Sequence, residues 1–165
     1  MIRLLSNIDG SAFVIKQAAY KTTKEMLLEC VSKANQADGT VVQVFDSNTV
    51  ANRTHLIGAY INSMSSFSDH SNKTKSPSME MLLFAAMTDQ IEEAIDSVGI
   101  KEGPITVFSN NKAGFEKIKP MLKDIREFEP SKQHTTKVLT KLGIRSKEDA
   151  DKLLLQRMAL SRLKP

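Results

Sequence analysis

Lys73 and Lys75 alternate with polar residues in the run Asn72-Lys73-Thr74-Lys75-Ser76, directly before an apolar segment opened by Pro77. Backbone N–H groups at a helix start attract anions, and two cations within reach add attraction for phosphate oxygens. Asn72, Ser76 and Ser78 supply hydrogen-bonding groups suited to a sugar or a base. The chemistry on offer is a grip on a phosphate-bearing partner; without such a partner the run is a lysine-containing surface loop. Glu80, in the first turn of the following helix, either complements the helix dipole or accepts hydrogen bonds from the loop before it. A structural role is expected for it.

Reactive constellations are not found. There is no GxxxxGK[ST], no GxGxxG after a strand, no HExxH and no GxSxG. His55, His70 and His134 are far apart and share no ligand spacing, and a lone histidine on a polar helix face reads as solvated. The single cysteine, Cys30, excludes an intrachain disulfide and a cysteine-based zinc site, and reads as a packing residue. No catalytic residue, metal or cofactor is expected.

The elements that must position the loop follow from length and pattern. A chain of 165 residues, 41% hydrophobic and 25% charged, suits one globular domain with its own core. The opening MIRLLSNIDG is too short in apolar residues for a signal peptide and no run reaches a membrane span, so a cytoplasmic protein is expected. Residues 131–165 hold nine Lys/Arg against three Asp/Glu, which suits either an anionic partner or a solvated basic helix face.

Short strands are expected at Ile2–Leu5, Ala12–Ile15, Val41–Phe45, Ile105–Phe108 and Ile125–Phe128. Thr22–Ala37 reads as a helix with Leu27, Val31 and Ala34 on one face. Ser47 reads as the cap of a helix running to Ser66, with Ile57, Tyr60, Ile61 and Met64 as its apolar stripe. Phe67–Ser76 reads as a flexible surface loop. Ser76 caps a helix with Pro77 at its first position and Met79, Leu82, Leu83, Ala86 and Met87 at helical spacing. Thr88 starts another, with Ile91, Ala94, Ile95 and Val98 on one face and Gly99 as its stop. Asn111–Leu122 is helical and is ended or kinked by Pro120. Ser131 and Ser146 each cap a basic helix. The last, Lys147–Leu163, is apolar nearly all round, so it is central to the core or keeps one face for a partner. The fold class is α+β: one domain over 1–165, a small, mostly antiparallel sheet packed by several helices.

Three pieces carry a family likeness: ANRTHLIGAYINSM from Ala51, NKTKSPSMEMLLFAA from Asn72, and DQIEEAIDSVGIKEGPITV from Asp89. In that order and spacing they resemble the PRPK-binding protein (TPRKB) family of KEOPS-complex subunits, in its compact archaeal-type form. The resemblance implies a non-catalytic subunit of the complex that makes threonylcarbamoyladenosine beside the tRNA anticodon. It implies two partners: an atypical kinase/ATPase subunit that the protein stimulates, and the single-stranded 3′ CCA end of tRNA. Carried onto this chain, it assigns Arg53, Asn72, Lys73, Lys75, Ser76, Ser78 and Met79 to tRNA. The C-terminal helices, 131–165, are assigned to the kinase, with Leu155, Met158 and Arg162 as contacts. Two positions depart from the pattern: Lys73 stands where many relatives have an apolar residue, and Asp89 where they often have a basic one. Two rival functions stay open. One is a protein-interaction module that binds no RNA; the other is a small-molecule enzyme with a pocket the sequence does not reveal. A membrane-surface role is disfavoured, since no helix joins a basic face to an aromatic-anchored apolar one.

Overall fold

Two strands buried along their whole length form the middle of the molecule. β2 (Val42–Asp46) and β3 (Ile105–Ser109) are buried at every position and apolar apart from Gln43, Asp46, Thr106 and Ser109, as suits strands covered on both faces. The structure is a computed structural model that describes residues 10–146 and 148–162. β1 (Val14–Tyr20) lies between β3 and β4 (Leu122–Glu127), giving a four-stranded sheet in the order β2-β3-β1-β4 with every pairing antiparallel. Val14 faces Ser109 and Ala18 faces Ile105 on one side of β1, and Tyr20 faces Leu122 on the other. The register shifts between Gln17 and Ala19, and Lys16 pairs with Glu127 beyond the shift.

Helices cover both faces. On one, α1 (Lys24–Ala34) and α5 (Lys112–Ile118) bury Leu27, Val31, Ala34, Phe115 and Ile118 against Val42, Val44, Ile105, Val107 and Leu122. The other carries α2 (Arg53–Ser68), α3 (Pro77–Ala86), α4 (Ile91–Val98), α6 (Lys132–Lys141) and α7 (Ala150–Leu160). Its core joins Ile15, Phe45 and Phe108 of the sheet to Leu56, Ala59, Met81, Leu83, Leu154 and Met158. The architecture is α+β in a single domain, with the sheet antiparallel throughout. Among the described residues no helix is long and apolar enough to cross a membrane.

α2 and α3 form an antiparallel pair: Ser63 donates to the Pro77 carbonyl at one end and His55 donates to the Ala85 carbonyl at the other. α7 runs parallel to α2. Asp151 accepts from Asn52 at 2.8 Å near one end, and Leu155 and Met158 pack over Gly58 further along. A β-carbon at Gly58 would lie 2.4 Å from Leu155 Cδ2, so the glycine is what lets the two helices approach.

Several boundaries differ from the sequence expectation. Ile2–Leu5 lies outside the described residues. Gly10–Ala12 is a 3₁₀ turn and the strand starts at Val14, running on to Tyr20. Ser47 is buried in a 3₁₀ turn, bonded to Thr106 at 2.7 Å, and the cap of α2 is Asn52, whose side chain accepts from the His55 amide. The buried face of α2 is Leu56, Ala59, Ser63 and Ser66 with His55, Gly58 and Asn62, while Met64 is exposed. A helix wedged between two others is packed through its small residues. Met87 ends α3 in the left-handed conformation, so α4 begins at Ile91 rather than Thr88, and Ile91 and Ile95 are exposed while Ala94 and Val98 are buried. α5 stops at Ile118, and Pro120 sits in a 3₁₀ turn that leads straight into β4. Asp149, with a positive φ and no side-chain cap bond, precedes α7; Ser146 donates to Glu148 O instead of capping it. Cys30 is half-buried at the contact between α1 and α5, 3.5 Å from Lys117 O.

Candidate functional site

The loop Asp69–Ser76 leaves α2 and enters α3, and one carboxylate organises it. Glu80, on the first turn of α3, is fully buried. It accepts from the Lys73 amide at 3.1 Å, the Thr74 amide at 2.9 Å and the Thr74 hydroxyl at 2.8 Å. Its other oxygen meets the Arg162 guanidinium, which projects from the turn after α7 and lies over the Phe84 ring at 4.5 Å. A buried carboxylate needs such partners, since charge taken out of water is costly unless paired and hydrogen-bonded. Asn72 donates to Thr74 O at 2.9 Å, and Ser76 caps α3 by accepting from the Met79 amide. The loop expected to be flexible is therefore pinned by its backbone: Thr74 turns inward and is buried, while Lys73 and Lys75 on either side are exposed.

This arrangement sets the electrostatics. Arg162 answers the Glu80 charge inside the fold, so Glu80 does not draw on the two exposed lysines, which stand as positive charge at the surface. Asp89 is the nearby opposing group. The Gln90 side-chain amide, then Lys73 and Arg162, hold its carboxyl below the usual range.

Beside the loop a cavity of about 470 Å³ opens between α1, the edge strand β2, α3 and the end of α4. Leu28, Val31, Val44, Met79, Leu82, Ile95 and Ile100 give it apolar walls; Lys24, Ser32, Gln36 and Ser76 are among its polar residues. Among the described residues that line it, Lys24 is the one titratable side chain. Leu28 and Ile95 are 40% and 41% exposed, so two large apolar groups stand in water at this site. The floor is the free edge of β2, and polar side chains close it. Asn35 accepts from the Val42 amide and donates to the Val42 carbonyl, both at 2.9 Å. Ser78 donates to the same carbonyl at 2.8 Å, and Gln43 accepts from the Val44 amide while donating to Ser78 O. A sheet edge closed in this way offers no ladder to another strand.

The residues singled out from sequence separate accordingly. Ser76 and Met79 line the cavity, Lys73 and Lys75 are exposed on the loop that leads to it, and Asn72 is half-buried as a bracing residue. Ser78 is only 7% exposed and committed to the β2 edge, so it does not face outward. Arg53 stands at the first turn of α2, at the far end of a 16-residue helix from the loop, about 24 Å of helix away. Leu155 and Met158 are core residues packed against α2, and the Arg162 side chain is 12% exposed and turned in to Glu80. These three were expected at a partner; burial against α2 and α3 takes their side chains out of reach. The exposed apolar side of α7 is instead Leu153 and Leu160. A groove of about 760 Å³ between α6 and α7 carries Lys132, Arg145 and Lys152 beside Asp149 and Asp151.

His55 also departs from expectation. It is fully buried, accepts from the Ala51 amide through Nδ1 at 3.1 Å and donates through Nε2 to Ala85 O at 2.9 Å, so the neutral ring is fully used in joining α2 to α3. Burial pushes its pKa down, against the raising effect of the Ala85 carbonyl. Sequence reasoning missed Leu28, Ile95 and Lys24 at the cavity. The signals available were Gln43 inside an apolar strand and Glu80 inside an apolar helix.

The scaffold presents a charged loop and a shaped apolar cavity, which is the makeup of a binding protein. Residues 7–161 match the family model of kinase binding protein CGI-121, and the chain belongs to that family. It is the family to which the sequence resemblance pointed. No curated protein matches the chain.

Proposed function

We propose that the protein is a non-catalytic subunit of the KEOPS tRNA-modifying complex, which binds the 3′ CCA end of tRNA and docks on and stimulates the atypical kinase/ATPase subunit. The carrying observation is the pinned loop: Lys73 and Lys75 are exposed on it, and Ser76 at its end lines an apolar cavity. A single-stranded end offers exposed phosphates and unstacked bases, which such a pairing of cations and apolar surface can hold. Asn72, Ser76 and Met79 border the same place. Arg53, at the far end of α2, would meet a different stretch of the same RNA. The family's kinase binding supports the second partner, and the exposed side of the C-terminal helices is the surface proposed for it. A cavity with one titratable lining residue favours binding over chemistry.

A gel-shift assay tests the RNA half. Intact tRNA should bind, tRNA stripped of its CCA tail should bind far less, and Lys75→Glu should reproduce the stripped case. Equal binding of both RNAs refutes recognition of the tail and leaves a protein-interaction module. Co-purification with the kinase subunit, lost when Leu153 and Leu160 are both changed to Asp, tests the other half.

A further inference from the structure

We infer that Arg162 is a positioning residue for the loop, so that the seating of the C-terminal helix controls the geometry of the RNA site; this rests on the RNA reading above. Glu80 reads out both sides. One of its oxygens takes the Thr74 amide and hydroxyl, and the other takes Arg162, with the Lys73 amide within reach of both. Glu80 thus joins two segments distant in sequence, the loop before α3 and the turn after α7. A carboxylate holding two successive backbone amides fixes the direction in which Lys73 and Lys75 leave the chain. That carboxylate is fully buried, and Arg162 is the one cation paired with it among the described residues. Removing Arg162 leaves an uncompensated buried charge, which is relieved by drawing Glu80 and its loop toward water.

The clamp is also incompletely satisfied. Arg162 Nε and Nη1 are buried without hydrogen-bond acceptors. Unpaired buried donors cost free energy, which offsets part of what the ion pair contributes. At the other end Asn52 and Asp151, and in the middle Gly58, Leu155 and Met158, hold the helix independently. A shift of the last turn of α7 therefore reaches the loop without unseating the whole helix.

The test pairs amide hydrogen exchange with binding of a tRNA transcript ending in CCA. In Arg162→Met, exchange at Lys73 and Thr74 should rise about tenfold while Val107 in β3 keeps its protection, and RNA affinity should fall by about tenfold. Arg162→Lys should recover part of both, since it returns the charge without the planar stacking on Phe84. If Arg162→Met loses protection at Val107 as well, the double variant Glu80→Gln, Arg162→Met removes both charges. It should fold with fast exchange confined to the loop, because the neutral glutamine oxygen accepts from Lys73 and Thr74 more weakly than the carboxylate does. Wild-type exchange at Lys73 and Thr74 in Arg162→Met, or in the double variant, overturns the clamp. Fast exchange with unchanged RNA affinity overturns the control of RNA binding. Wild-type protein that binds no tRNA refutes the RNA reading instead, and the exchange result then decides the clamp alone.

Discussion

Asn35 makes to Val42 the two hydrogen bonds that a neighbouring strand would have made: its side chain accepts from the Val42 amide and donates to the Val42 carbonyl, both at 2.9 Å. The last turn of α1 thereby closes the edge of β2. Asn35→Ala should lower stability by about 1–3 kcal/mol, the usual loss when buried backbone groups lose their partners. Asn35→Asp should not restore it, because a carboxylate cannot donate to Val42 O. Urea unfolding midpoints measure both, and unchanged midpoints would show that water serves the edge equally well.

His55 predicts a dependence on pH. Its folded pKa lies below the ordinary value of about 6.5, so under acid the unfolded chain binds a proton that the folded chain resists. The stability it contributes is whole above the unfolded pKa and falls as pH drops from about 6.5 through the lower folded pKa. Unfolding free energy measured from about pH 7.5 to 5.5 should decline in the wild type. His55→Gln should be less stable throughout and show a flatter profile. An equal slope in the variant would assign the dependence to other groups.

Gly58→Ala sets two effects against each other. Alanine in a helix interior gains about 0.5–1 kcal/mol over glycine. Here the new β-carbon would stand 2.4 Å from Leu155 Cδ2 and 3.5 Å from Met158 Sδ, and overpacking of that kind costs about 1–3 kcal/mol. The net should be a loss, with faster amide exchange along α7. A stabilised variant would mean that Leu155 swings aside freely.

The two lysines and Ser78 should behave oppositely. Lys75→Ala should weaken tRNA binding and reduce the slope of log affinity against log salt by about 0.7, the value for one phosphate contact on a single strand. Ser78→Ala should leave that slope alone and reduce stability, since the hydroxyl serves Val42 and Gln43 inside the fold. Filter binding across a salt series, beside thermal unfolding, separates them. A slope changed by Ser78→Ala would contradict its burial.

What could be read from the sequence was what local chemistry decides. The Ser76 cap with Pro77 behind it, the stop at Gly99 and the two apolar strands all follow from neighbouring residues. The face of α2 did not follow, because its largest apolar residues suggested one stripe while contact with α3 and α7 selected Gly58, Ala59, Ser63 and Ser66. Glu80 was legible as a brace for the loop, but Arg162 was not legible as its partner, for 82 residues separate them. The cavity was hidden for the same reason: α1, β2, α3 and α4 meet there only after folding.

The strand order has a consequence for how the chain acquires its shape. β1 is the first described strand, yet Ala18 waits for Ile105 and Lys16 for Glu127, so the sheet cannot zip until most of the polypeptide has left the ribosome. The α2–α3 hairpin needs only a short closure and can form early. High contact order of this kind slows folding. Pulse-labelled refolding should find amides of α3 protected before those of β1, which are claimed last.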